Sequence, residues 1–251
     1  MRSKLALQIR FHFVTLCAVS LALGAVSVVA AEANAASQSR GSLLLFGSSS
    51  INDTFGHLIS EDLARLGFIV ARHGYSSAGL ARPDFRDLRD ALAQLPIERN
   101  LSTVLFYVGA NDAQTMWLRP EERRPSDTAE QAPWVTWEDA RWSSVYEARV
   151  TELLRSVCDR GAKRAILLAP VDVANERMQS RLDRIRQLQA HAASTSECGH
   201  FVPTAGDTAT FQSPGPGEPL RAADGYHMTR TGAIRVWERV RGQMLSLLAS
   251  G

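Results

Sequence analysis

The sequence predicts an α/β fold: one domain, a three-layer α/β/α sandwich around a parallel sheet of about five strands. Three observations predict it. Short apolar runs, at residues 43–46, 68–71, 104–108 and 165–169, alternate with longer stretches of helical period. Those runs are apolar at consecutive positions, which suits strands covered on both faces, as in a parallel sheet. Finally, 251 residues at 45% hydrophobic suffice for one sizeable core, and neither a repeat nor a second domain is evident.

The elements follow in order. The first strand, Leu43-Leu44-Leu45-Phe46, ends at Gly47, and three serines come next, Ser48-Ser49-Ser50. Asp53-Thr54 can cap a helix running to about Leu66, where Gly67 stops it. Residues 68–71 read as the second strand. Pro83 suits the first turn of a helix reaching about Leu95, with Pro96 beyond. The third strand covers about 102–108. Residues 113–136 hold three prolines and two tryptophans without a sustained period, and form a long insertion after the third strand. A long helix from about 137 to 160 follows. Its Trp142, Val145, Tyr146, Val150, Leu153, Leu154 and Val157 recur at helical spacing and belong to the core. The fourth strand spans 165–169. Residues 175–193 form a charged amphipathic helix whose arginines are expected on a solvated face. Phe201-Val202 marks a fifth strand. A Pro/Gly-rich loop over 203–223 leads to a closing helix at 229–248. Strands alternating with helices imply right-handed crossovers.

The beginning of the chain is of another kind. Arg2, Lys4 and Arg10 make a basic start, residues 13–30 carry no charge, and Ala31-Glu32-Ala33 and Ala33-Asn34-Ala35 resemble A-x-A cleavage patterns. Residues 1–35 are therefore expected to be a cleaved signal peptide, leaving 36–251 as an exported domain, periplasmic or secreted. The alternative is a membrane anchor, since the uncharged run nears the length of a span. Once the leader is removed, no membrane span is expected. Export leaves Cys158 and Cys198 as the cysteines of the mature chain, and an oxidising compartment favours their pairing. Two unpaired thiols are the alternative.

Composition narrows the function. The formal charge of +2, from 28 basic and 26 acidic residues without a basic block, gives no footprint for nucleic acid. His57, His73, His191 and His200 make no metal-ligand spacing, and no nucleotide-binding glycine loop, H-E-x-x-H or G-x-S-x-G motif occurs. No cofactor and no metal is called for.

Three stretches carry chemistry. A serine just beyond a strand's carboxyl end is presented to the crevice where open α/β sheets bind ligands, although serines also cap helices. Asp224-Gly225-Tyr226-His227 places a carboxylate three residues before an imidazole, the pair a weak hydroxyl nucleophile needs for activation. Asp-Gly is also ordinary turn chemistry, so the pair alone is weak evidence. Gly109-Ala110-Asn111-Asp112, after the third strand, sets a side-chain amide on the same sheet edge, where an oxyanion needs donors.

In order and in placement these stretches resemble the SGNH (GDSL) hydrolases. Gly47-Ser48-Ser49-Ser50 stands for the family's first block, G-D-S-L. Gly109 to Asp112 matches the G-x-N-D block, and Asp224 to His227 matches the D-x-x-H block. The single glycine of the second block is best met by Gly79, with Gly74 as the alternative. Two runs, residues 79–85 and 220–225, look like a little-characterised bacterial branch of the family. Ser48 departs from the family's Asp, which leaves the register of the three serines open. Counting from the strand, Ser49 takes the nucleophile's place, with Ser48 and Ser50 as alternatives.

The resemblance implies a flavodoxin-like sheet and a serine ester hydrolase working through an acyl-enzyme. Ser49, His227 and Asp224 would form the triad, and Ser49, Gly79 and Asn111 the oxyanion hole. Gly47, Ser48, Gly109 and Asp112 would support the turns. The expected substrate is an ester, an O-acyl or O-acetyl group on an envelope or extracellular carbohydrate; Trp117 and Trp134 of the insertion could stack on sugar rings or pack onto the body. The same residues would serve an O-acyltransferase. From another class comes a non-catalytic glycan-binding module that keeps the fold.

Overall fold

The computed structural model describes residues 40–95, 101–127, 133–204 and 219–250. The expected leader at 1–35 lies outside the described residues, as do 128–132 of the insertion and 205–218 of the loop before Asp224. Five strands form one parallel sheet: β1 (Ser42–Ser48), β2 (Ile69–Tyr75), β3 (Leu101–Tyr107), β6 (Arg164–Leu168) and β7 (Gly199–Val202). Two short strands of the insertion, β4 (Met116–Trp117) and β5 (Trp134–Val135), pair antiparallel on their own. The main order is β2-β1-β3-β6-β7, the flavodoxin-like arrangement, with every neighbouring pair parallel.

The period of two along the central strands sorts the core into two halves. Leu43 and Leu45 of β1, Leu105 and Tyr107 of β3, and Ile166 and Leu168 of β6 face one layer. Leu44 and Phe46, Val104 and Phe106, and Ala165 and Leu167 face the other. Each such side chain, fully covered, stabilises the fold by about 1.5–3 kcal/mol for the larger residues. The first layer is closed by α2 (Thr54–Arg65), which buries Phe55, Ile59 and Leu63 at successive turns, and by α6 (Arg230–Ala249). The second is closed by α3 (Leu88–Ala93), α4 (Ala140–Cys158) and α5 (Glu176–Ser194). The short α1 (Ser49–Asn52) leads from β1 into α2.

Side-chain caps fix where the longer helices start. Asp139 accepts from Arg141 N–H before α4, Asn175 from Met178 N–H before α5, and Thr229 from Gly232 N–H before α6. Cys158, the last residue of α4, is disulfide-bonded to Cys198 beside β7, with Cα atoms 5.8 Å apart.

Three elements differ from the sequence expectation. Strand β2 runs on to Tyr75 through Arg72 and His73, because it is an edge strand whose side chains are mostly half-buried or exposed and so need not be apolar. The helix expected at Pro83 begins only at Leu88, capped by Asp87; residues 82–85 form a turn instead, closed by Phe85 N–H on Arg82 O and by the Arg82–Asp84 ion pair. Of the four arginines of α5 only Arg177 is exposed as expected; the other three are not on a solvated face. Arg181 and Arg184 lie over the Trp137 ring, and Arg186 is buried against the carboxylate of Asp172 at 2.7 Å.

Candidate active site

The site is built where three adjacent strands end. Gly47 pairs with Gly74 of β2 and with Tyr107 of β3, and its φ of +153° brings its backbone against the carbonyl of Tyr107, where any Cβ would collide. Ser48 is the last strand residue, buried at 6% exposure, and Ser49 opens α1 as a half-buried residue at the turn. Three positions on, Asn52 donates from Nδ2 to Gly74 O at 2.6 Å and accepts Gly74 N–H on Oδ1 at 3.2 Å. This reciprocal pair pins α1 to the end of β2. It also engages the N–H of Gly74.

Past β2 the chain turns sharply, with Ser77 at φ +56°, a conformation costly for a residue with a side chain. Gly79 then packs flush against the next turn: the Asp112 carboxylate occupies the room a Cβ would need, and Asn111 Cβ would lie 3.3 Å from it. Asn111 donates one of its two amide hydrogens to Ala78 O at 2.8 Å. Gly109, at φ +128°, starts the turn Ala110–Asp112 against Gln189, Ile185 and Pro170. The structure therefore brings Gly79, Asn111 and Asp112 together from segments more than thirty positions apart.

Asp112 is wholly buried beneath this turn. Its Oδ1 accepts Ala81 N–H at 2.8 Å, and its Oδ2 accepts the Tyr146 hydroxyl at 3.1 Å. Gln189 Nε2 in turn donates to Tyr146 Oη and to Val108 O, each at 3.1 Å. Burial pushes the Asp112 carboxyl up to about 6, against the hydrogen bonds that favour its charge. Beside it, buried Arg149 donates to Leu80 O, to Trp117 O at 2.6 Å and to Glu122, so the insertion is stapled to the segment that carries Gly79 and Leu80.

The third component is the hairpin-like loop from Leu220 to Thr229. Thr229 N–H meets Leu220 O at 3.1 Å, Ala222 N–H meets His227 O at 2.8 Å, and Gly225 turns at φ +75°. At its exposed tip Asp224 grips His227 with both oxygens. Oδ2 lies 2.6 Å from Nδ1, while Oδ1 accepts His227 N–H at 2.9 Å and Tyr226 N–H at 2.8 Å. The His227 hydrogen bond is the largest influence holding the Asp224 carboxyl down at about 2, so it is a carboxylate across the physiological range. With Nδ1 turned to Asp224, Nε2 is the nitrogen directed elsewhere. Among the described residues no hydrogen bond joins Ser49, at the start of α1, to His227, in the loop before α6.

Beyond the expected residues the structure adds Asn52, Tyr146, Arg149 and Gln189. Only Tyr146 carried a sequence signal, as a core aromatic. A cavity of about 360 Å³ opens between α2 and α6, lined by Asn52 and Arg230, each three positions beyond a candidate catalytic residue. Among the described residues no cluster of three or more His, Cys, Asp or Glu side chains could hold a metal, and no helix is long and apolar enough to cross a membrane.

Residues 42–243 match the family described as "Protein of unknown function (DUF459)". No curated protein matches the sequence. Among solved structures, an alpha/beta hydrolase enzyme from the metagenome of Lake Arreo, Spain, superposes with a TM-score of 0.57 at 18% identity, covering 84% of this chain and 98% of that one. An acetylxylan esterase from Geobacillus stearothermophilus gives 0.56 at 18%, over 85% and 96%. A lipase/acylhydrolase from Enterococcus faecalis gives 0.54 at 16%, over 80% and 94%. The fold is shared with all three, as the resemblance to SGNH hydrolases implied.

Proposed function

The chain belongs to the DUF459 family, and from that premise we propose that it is a serine ester hydrolase of the SGNH type. The observation that carries this reading is the Asp224–His227 pair, bonded at 2.6 Å through Nδ1, on a fold shared with ester hydrolases. Ser49 Oγ attacks the ester carbonyl as His227 Nε2 takes its proton, and Asp224 stabilises the imidazolium. The tetrahedral oxyanion is met by the N–H groups of Ser49 and Gly79 and by the Asn111 amide. Collapse expels the alcohol, protonated by His227, and leaves the acyl group on Ser49. Water, deprotonated by the same imidazole, then releases the acid. A sugar hydroxyl in place of water would make the reaction an acyl transfer.

For substrate we propose an O-acyl, chiefly O-acetyl, ester of an envelope or extracellular carbohydrate. Two features support it: the leader-like residues 1–35, and Trp134, 41% exposed on the strand pair stapled to the oxyanion segment. An acetylxylan esterase among the structural neighbours is consistent with that choice.

The test is labelling of the mature protein with a fluorophosphonate, peptide mass spectrometry, and His227→Ala in parallel. Adduct on Ser49 that disappears in the variant is the expected result. Adduct on Ser48 or Ser50 would move the nucleophile, and a folded protein taking no label would replace the enzyme by a glycan-binding module.

A further inference from the structure

His227 and Asp224 sit in the exposed tip at residues 223–227, with about half of each side chain open to solvent. Their mutual bond sets the imidazole relative to the loop. It does nothing to set the loop relative to the strands that carry Ser49 and Asn111. Since a misplacement of about 1 Å can cost on the order of 10² in rate, the loop needs an anchor that acts close to His227.

Arg221 has the required geometry. It stands at the base of the loop, in a bridge with Met228, the residue after His227. Its Nη1 donates to the carbonyl of Tyr226, the residue before His227, at 2.8 Å. Its Nη2 donates to the carbonyl of Asp172, in the segment that follows β6. The receiving segment is itself fixed. The Asp172 carboxylate, 3% exposed, accepts Gln179 Nε2 at 2.8 Å and pairs with Arg186 at 2.7 Å, and Arg186 Nε donates to Pro170 O at 2.9 Å. One planar guanidinium therefore spans two carbonyls, one adjoining the imidazole and one adjoining the sheet. A lysine ammonium keeps the charge but lacks that fork.

We propose that Arg221 is a positioning residue for His227, holding the base loop in register with the carboxyl edge of the sheet. The proposal rests on the serine-hydrolase reading only for its kinetic consequence; the geometric part stands apart from it.

Arg221→Lys and Arg221→Ala are compared with wild type on p-nitrophenyl acetate, each also in a His227→Ala background. The expected result is a fall in kcat of about 10²-fold with KM changed less than about threefold. In the His227→Ala background the Arg221 substitutions should then change the residual rate by less than about twofold, since two residues acting through one group are not additive. Arg221→Lys keeps the charge and guards against failure of the alanine variant to fold. The second readout is the ¹⁵N–¹H spectrum of the His227 imidazole, in which the Nδ1 signal bonded to Asp224 should shift or broaden in Arg221→Lys. Folded variants with wild-type kcat, or a loss of equal size with and without His227, would overturn the proposal, as would an unchanged imidazole spectrum. If wild type neither turns over the ester nor takes the fluorophosphonate, the hydrolase reading fails instead, and the imidazole spectrum alone decides the role of Arg221.

Discussion

Tyr146 of α4 donates its hydroxyl to Asp112 at 3.1 Å, and neither side chain meets solvent. The bond joins the long helix of one outer layer to the turn that presents Asn111, so the candidate oxyanion segment is held from below by a buried polar pair. A carboxyl in that setting has consequences for stability.

The rise of the Asp112 carboxyl from 3.8 to about 6 is caused chiefly by burial and corresponds to about 3 kcal/mol. The folded protein binds this proton more tightly than the unfolded chain does. Its stabilising effect is complete below pH 3.8 and is lost as pH rises through about 6. Asp112→Asn carries no such proton. Relative to wild type, it should gain about 3 kcal/mol between pH 3.5 and pH 7, read from urea unfolding at the two pH values. A difference independent of pH would show that the carboxyl is not raised.

Asn111 makes one bond to Ala78 O and, on the proposed mechanism, a second to the oxyanion. Asn111→Ala should lower kcat on an aryl acetate by about 10²–10³ with KM little changed. Loss of the Ala78 bond should cost only about 1 kcal/mol of stability. Steady-state kinetics beside a thermal melt separate the two effects.

Gly79 is where the chain tolerates no side chain, because the Asp112 carboxylate fills the room a Cβ would need. Gly79→Ala should displace the segment, costing about 1–3 kcal/mol of stability, and should slow labelling of Ser49 by the fluorophosphonate. An unchanged labelling rate would take Gly79 out of the proposed oxyanion hole.

The bond between Cys158 and Cys198 closes a span of 40 residues, which the chain-entropy estimate values at about 4 kcal/mol. Cys158→Ser, or reduction of the native protein, should lower Tm by about 10 °C for a domain of this size. A melt unchanged by reductant would show that the bond constrains little.

Trp134, if it meets the sugar, should matter to one substrate and not to another. Trp134→Ala should raise KM for an acetylated oligosaccharide about tenfold, the weight of one lost stacking contact of about 1.4 kcal/mol. Its kinetics on p-nitrophenyl acetate should stay as in wild type. Equal effects on both substrates would make the ring a packing element.

What the sequence disclosed depended on how far the chemistry is spread along it. The strand Leu43–Phe46, the turn at Gly109 and the pair Asp224–His227 are each legible because their logic is complete within a few consecutive residues. The supports are not. Asn52 finds Gly74 across 22 positions, Arg221 finds Asp172 across 49, and Arg149 finds Leu80 across 69. An arginine destined for the interior looks like any other until its acceptors are in place, which is why Arg186 of α5 reads as solvated. The edge strand β2 outruns its apolar run for a related reason, since one unpaired edge lets polar residues such as Arg72 and His73 continue a strand.

The ring stack at the start of α4 gives the molecule an optical signature of its own. Trp137 and Trp142 have centroids 4.1 Å apart at an interplanar angle of 55°, and Tyr146 continues the stack at 5.0 Å. Indoles that close and that skewed couple their electronic transitions, so this cluster should contribute strongly to the near-ultraviolet circular dichroism of the folded chain, beside the Trp117–Trp134 pair at 4.8 Å. Because Arg181 and Arg184 from α5 lie over the same Trp137 ring, that signal reports the seam between two helices. It would vanish in a compact state that kept its helices but lost their packing, an unlabelled gauge of whether any variant has folded fully.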